Sequence, residues 1–172
     1  MSTTILQAAQ PVGIYLMPGD FHFGGENTHI HTVLGSCVSI TVWHPLLRIG
    51  GMSHSMLPSR GKPGNHKLDG HYADEAIELL LREIGKRNTR SSEYQVKLFG
   101  GGNMFRQSLA ERPFNVAGSN IEAARALLDA GGFNIHAEHV GGSGHRRIIF
   151  DLRDGNVWVK HDEIPASPGL PQ

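Results

Sequence analysis

The sequence predicts a mixed α/β or α+β fold with mostly antiparallel strands. Apolar residues recur at every second position in HTVLGSCVSITVWHP and at helical spacing over 72–86 and 120–130. The segments run in the order strands, helix, strand, helix, strands. At 172 residues the chain can bury a sizeable core without a disulfide or a metal. It is read as one domain over 1–172, with frayed ends at 1–12 and 163–172.

Residues 30–43 read as strand, turn, strand, broken at Leu34-Gly35-Ser36. Val38, Ile40 and Val42 point one way and Ser39, Thr41 and Trp43 the other, the pattern of a half-buried strand. His44-Pro45 ends it, since proline has no ladder donor. A further strand over 48–57, with Gly50-Gly51 early and His54 late, is its expected antiparallel neighbour. Residues 59–70, SRGKPGNHKLDG, are dense in turn formers and read as a loop. Ala73, Ile77, Leu80 and Ile84 share one face of the helix over 72–86, with Glu78 and Arg82 as an i,i+4 pair outside. The strand over 94–99 runs into Gly100-Gly101-Gly102. Ser119 and Glu122 form a capping box for the helix over 120–130, and Gly131-Gly132 stops it. A strand follows over 133–140. Strands over 147–152 and 157–160 form a hairpin through Asp154-Gly155, the dipeptide of type I′ turns.

Lys+Arg and Asp+Glu are equal at 16 each, so net charge supplies no general attraction to nucleic acid or acidic lipid. No run approaches the roughly 18 apolar residues of a membrane span, and no secretory signal opens the chain. The expectation is a soluble cytoplasmic protein that meets membranes only through partners. Its eleven histidines would make it cationic below about pH 6.5.

Cys37 is the single cysteine, so no internal disulfide can form. It sits where a Gly-Ser turn opens into a strand, a place suited to a working thiol. Gly35 is expected to let the backbone turn tightly, with the N–H groups near Ser36 and Cys37 facing a developing oxyanion. A lone cysteine beside a strand is nonetheless more often an inert core thiol. A nucleophilic cysteine needs a base, and His29, His31, His44 and His54 are all candidates that sequence proximity does not separate. A metal site drawn from His22, His29, His31 and His44 is a weaker reading, because no CxxC or HExxH spacing accompanies them. The glycine run at 100–102 lacks both phosphate-loop patterns, and no GxSxG is present.

Five blocks in order, HTVLGSCVSITVWHP, GGMSHSMLPS, KLFGGGNMF, NVAGSN and GGSGHRRIIF with its following DG, resemble the CheD family of bacterial chemoreceptor glutamine deamidases. The resemblance runs from about Met17 to about Lys160. It implies a cysteine hydrolase fold, two packed and mostly antiparallel β-sheets with helices outside, akin to toxins that deamidate host GTPases. It places the catalytic cysteine at Cys37, the catalytic histidine at His54 and the active-site threonine at Thr32. The implied reaction hydrolyses receptor glutamine side chains to glutamate and ammonia through a cysteine thioester, a chemistry that requires no cofactor or metal. The implied substrate is the helical cytoplasmic domain of a chemoreceptor, with residues 59–70 and the GGGNMF turn as contact elements. Some relatives bind the CheC phosphatase, so a CheC-type partner and a mainly adaptor role form the alternative. For the cysteine reading the expected geometry is Cys37 Sγ within hydrogen-bond reach of His54, with the Thr32 hydroxyl on the same imidazole, in a shallow cleft at one sheet edge.

Overall fold

The computed structural model describes residues 10–62, 64–105 and 115–165. Among these, a four-stranded sheet has the order β1 (Val12–Tyr15), β3 (Thr28–Leu34), β8 (His145–Asp151), β9 (Val157–Asp162). A five-stranded sheet has the order β2 (Phe21–Gly25), β5 (Ile49–Ser53), β4 (Val38–His44), β6 (Gln95–Gly100), β7 (Ile135–Val140). Pairing is antiparallel except between β1 and β3 and between β6 and β7. Two helices, α1 (Ala73–Lys86) and α2 (Val116–Ala130), complete the described elements. No helix among the described residues is long and apolar enough to cross a membrane. The frayed ends expected at 1–12 and 163–172 lie largely outside the described residues, although Val12 already begins β1.

Two apolar clusters organise the layers. Val38, Ile40 and Val42 of β4 and Val96 and Leu98 of β6 pack against Ile77, Leu80 and Ile84 of α1 and Ile121, Ala124 and Leu128 of α2. Ile30 and Leu34 of β3 and Ile148 and Phe150 of β8 meet Met52 and Phe99 from the other sheet. The five-stranded sheet is therefore the middle layer, with helices on one face and the four-stranded sheet on the other.

This layering corrects the half-buried reading of β4. Its period of two is real, but both faces are covered. The second face carries Ser39 and Thr41, both buried. Carbonyl oxygens make that burial tolerable: Ser39 Oγ donates to Ser53 O at 2.6 Å, and Trp43 Nε1 donates to Leu152 O at 2.9 Å. Strands β3 and β4 are likewise not neighbours in one sheet. The chain crosses between sheets at 35–37, so the candidate residues Thr32, Cys37 and His54 sit at a seam rather than at one sheet edge.

The first helix matches its pattern, including the Glu78–Arg82 pair at 2.5 Å. The second begins four residues early. Asn115, not Ser119, is its N-cap, and the Asn115 side chain accepts the Gly118 N–H at 2.9 Å. Ser119 lies within the first turns and the expected capping box is not its start. At the other end Gly132 is left-handed, with φ of 74°. Gly132 N–H reaches Asp129 O and Phe133 N–H reaches Leu128 O, both at 3.0 Å, the Schellman arrangement. The β8–β9 hairpin forms, but only Gly155 has positive φ, so Asp154-Gly155 is not a two-residue type I′ turn. Gly155 instead closes a longer loop against the Trp43 ring, where a Cβ would lie 2.3 Å from the indole.

Candidate active site

The site is built where the chain changes sheets. Each carbonyl of the crossing has a donor: Gly102 N–H reaches Gly35 O at 2.8 Å, Asn120 Nδ2 reaches Ser36 O at 3.1 Å, and Gly101 N–H reaches Cys37 O at 2.8 Å. Gly100 stands at φ of 106°, and a Cβ there would lie 2.2 Å from Cys37 O, so only glycine fits. The triple-glycine run thus closes over the cysteine turn, and its amides at 101 and 102 are already bound to carbonyls. Gly35 itself is not left-handed. Its side is taken by Met104, whose Sδ would be 2.9 Å from an added Cβ.

The histidine side is set by a short backbone pairing. Val38 and Ser55 exchange N–H···O bonds of 2.9 Å in each direction. Alternation then sends their neighbours Cys37 and His54 out together on the opposite face. The 17–20 segment clamps His54 from the other side: His54 N–H reaches Asp20 O at 3.0 Å, and Gly19 N–H reaches His54 O at 2.8 Å.

Thr32 reaches the imidazole from the other sheet. Its position on β3 alternates inward with Ile30 and Leu34. Thr32 Oγ1 donates to Leu16 O at 2.9 Å and lies 2.8 Å from His54 Nδ1. A hydroxyl has one proton to give. With that proton on the Leu16 carbonyl, the hydroxyl accepts from Nδ1–H, which leaves the lone pair on Nε2. His54 Nε2 is buried and has no hydrogen-bond partner among the described residues. The expected thiol–imidazole hydrogen bond is therefore not formed.

Burial pushes the Cys37 thiol up from its ordinary value, and its own backbone N–H partly offsets this. Burial pushes His54 down, opposed by the Leu16 carbonyl and the Asp20 charge and reinforced by His71. Both shifts favour uncharged forms, so the pair rests near neutrality as thiol and imidazole. Such a pair acts by proton transfer at the moment of attack rather than as a stored thiolate.

Cys37, His54 and Thr32 all line a cleft of about 760 Å³. Leu16, Ile148 and Ile149 give it apolar walls, and the exposed Tyr15, Met17 and Val33 form its rim. Two other histidines, His31 and His145, line the same cleft. His31 stacks on Tyr15 at 4.6 Å, on the outward-facing side of β3. His29 faces Asp151 at 3.0 Å, and His44 packs edge-on against Tyr94. No group of three or more His, Cys, Asp or Glu is arranged to hold a metal among the described residues. Sequence reading missed Leu16, which contributes a carbonyl and so carries no side-chain signal, and Asp20. It also passed over the tie made by Asn120, although NVAGSN was in view.

Arg60, His66 and Asp69 are held by Glu75 in the first turn of α1. Arg60 makes two bonds to the buried Glu75 carboxylate (2.5 and 2.8 Å), Asp69 N–H adds a third at 2.7 Å, and His66 lies at 3.2 Å. These partners, Arg60 first among them, hold the Glu75 carboxyl at a pKa of about 2.

Residues 56–161 match the family model described as CheD chemotactic sensory transduction. That stretch begins two positions after His54 and so does not include Thr32, Cys37 or His54. Similarity to whole relatives extends further. The chain is 50% identical over 163 residues to the "Probable chemoreceptor glutamine deamidase CheD" of Pseudomonas syringae pv. tomato, covering 92% of this chain and 96% of that protein. It is 49% identical over 146 residues to the "Probable chemoreceptor glutamine deamidase CheD 3" of Dechloromonas aromatica, covering 85% of each. With that identity sustained over nearly the full length of both partners, this chain belongs to the CheD family.

Proposed function

We propose that this chain is a chemoreceptor glutamine deamidase with Cys37 as nucleophile, His54 as general base and acid, and Thr32 as the residue that orients the imidazole. The observation that carries the reading is the hydroxyl relay from His54 Nδ1 through Thr32 to the Leu16 carbonyl. It selects the tautomer with a free Nε2 lone pair, in the cleft that Cys37 also lines. The relatives' printed names supply the substrate, a glutamine on a chemoreceptor.

In this mechanism Nε2 takes the Cys37 proton as Sγ bonds to the carboxamide carbon. Backbone N–H groups of the turn receive the negative oxygen. The imidazolium returns its proton to the departing nitrogen, the C–N bond breaks, and ammonia leaves a thioester. A water then gives a proton to Nε2 and attacks the thioester. The C–S bond breaks, Cys37 regains its proton, and glutamate is released. The cleft's exposed apolar rim of Tyr15, Met17 and Val33 suits a protein surface better than a free amino acid. The protein is expected to act in the cytoplasm, where the receptor's helical domain lies.

Co-expression with a chemoreceptor cytoplasmic fragment, read by peptide mass spectrometry and ammonia release, tests this. Wild type is expected to convert selected glutamines to glutamate. Cys37→Ala and His54→Ala should convert none, while His31→Ala and His44→Ala keep most activity. An active Cys37→Ala variant would end the thiol mechanism. Capture of a CheC-type phosphatase or the receptor without any conversion by wild type would favour the adaptor role instead.

A further inference from the structure

Asn120 is fully buried on α2, far in sequence from the residues it touches. Its Nδ2 donates to Ser36 O at 3.1 Å and to Met56 O at 2.8 Å. These carbonyls flank the two reactive positions: Ser36 precedes Cys37, and Met56 follows His54 by two. The Asn120 Oδ1 is buried and makes no hydrogen bond among the described residues. The side chain thus acts through its Nδ2 donors, and its acceptor is left unmet among the described residues.

The Ser36–Cys37 peptide is trans, so its C=O and N–H point to opposite sides. Asn120 draws the carbonyl toward α2, a helix that contributes no residue to the cleft. The Cys37 N–H is therefore turned away from α2. Among the described residues neither Ser36 N–H nor Cys37 N–H donates to a backbone carbonyl.

We propose that Asn120 is a positioning residue that locks the Ser36–Cys37 peptide so that the Cys37 N–H serves as an oxyanion donor. This rests on the deamidase reading of the cleft. Asn120 touches no reacting atom. Its amide sets in advance the direction of a backbone dipole whose rotation would otherwise oppose charge development in the transition state. The neighbouring bond from Gly102 N–H to Gly35 O does the same for the preceding peptide, but through backbone that no side-chain substitution removes.

The test compares two reactions of Cys37. A receptor-derived peptide with a side-chain aldehyde in place of the target carboxamide adds the thiol and forms a thiohemiacetal, whose oxygen occupies the oxyanion position. Iodoacetamide alkylates the same sulfur and develops no oxyanion there. Asn120→Ala is expected to lower kcat on the receptor fragment about 10- to 100-fold with KM nearly unchanged, a modest part of the roughly 100- to 1000-fold seen when a donor is removed outright. Aldehyde affinity should fall by a similar factor, while the alkylation rate changes less than about 3-fold. If the alanine variant does not fold, Asn120→Thr, which keeps one donor, is expected to show the same split at smaller size. Wild-type protein provides an independent readout: the Cys37 amide proton should move downfield in the aldehyde adduct. Alkylation falling in step with kcat, an unchanged kcat, or an unmoved Cys37 amide each overturns the proposal. A wild-type protein that neither deamidates nor adds the aldehyde overturns the deamidase reading itself, and the proposal with it.

Discussion

Thr32 decides which imidazole nitrogen carries the proton, and that makes it the most informative single residue to change. Thr32→Val keeps the shape but removes the hydroxyl, leaving the Leu16 carbonyl and His54 Nδ1–H facing each other's vacated partner. Loss of roughly 10- to 100-fold in kcat is expected, comparable to losing part of a general-base contribution, with Thr32→Ser recovering most of it. Steady-state kinetics of the pair check this; equal activity in Val and Ser variants would remove Thr32 from the mechanism. His54 also sets a pH dependence. Burial moves its pKa below the ordinary value, and the base must be unprotonated. Activity should therefore persist below about pH 6.5, the unperturbed histidine value, and be lost only as pH falls through the lowered pKa. The Asp20 charge opposes that lowering, so Asp20→Asn should shift the acid limb of kcat/KM to still lower pH. An acid limb moving upward would contradict the assignment of His54 as base. The resemblance to CheD named Cys37, His54 and Thr32 without coordinates. What it did not carry was the acceptor of the threonine proton, because Leu16 acts through a backbone oxygen that any residue could present.

Short-range pattern made some elements readable and left others dark. Helix α1 was legible because its apolar spacing is regular and its interior contains no breaker except Gly85 near the end. Strand β2, FHFGG, was not, since two glycines erase the alternation and its stability comes from pairing with β5. The start of α2 was obscured by Gly118, which reads as loop but sits in the first turn of the helix capped by Asn115. The triple glycine illustrates the same limit. Its backbone closes over Cys37, 64 positions away in numbering from Gly101, a contact no local pattern encodes. Gly100→Ala should therefore cost stability of about 1–3 kcal/mol from backbone strain alone, with more from the contact at 2.2 Å to Cys37 O. Activity should fall more than the melting temperature predicts, because the displaced atom belongs to the peptide of Cys37, the proposed nucleophile. Loop 59–70 offers a complementary test with a definite sign. Glu75 has a folded pKa of about 2 against an ordinary 4.5, so its contribution is complete above pH 4.5 and is lost as pH falls toward 2. Glu75→Gln should lower the melting temperature at pH 7 and flatten its decline between pH 4.5 and 2.5. An unchanged slope would mean that the carboxylate does not organise the loop.

At the scale of the molecule, the candidate site spans the seam between two sheets. Cys37 and His54 flank the strand pairing that begins at Val38 and Ser55, whereas Thr32 belongs to the opposing sheet. The packing of Ile30, Leu34, Ile148 and Phe150 against Met52 and Phe99, together with the 16–20 segment that bonds His31 on one side and His54 on the other, keeps the threonine hydroxyl 2.8 Å from the imidazole. The apolar faces of the helices pack on the other face of the middle sheet. Period-two alternation could not reveal this, since it marks a buried face without saying which layer covers it. The two cores should therefore be separable by experiment. Phe150→Ala, in the seam, and Leu80→Ala, beneath α1, each remove a fully buried side chain and should destabilise by about 3–5 and 2–5 kcal/mol respectively. Their stabilities are measured by urea unfolding, and kcat is measured at a temperature where both remain folded. The seam variant is expected to lose several-fold more kcat than the helix-side variant, because a cavity there lets the sheets shift and the Thr32–His54 bond lengthen. It should also lose the sensitivity of activity to Thr32→Val, since that bond would already be weakened. Equal kcat losses at matched destabilisation would show that the site tolerates movement across the seam, and the threonine's role would then have to be local to β3.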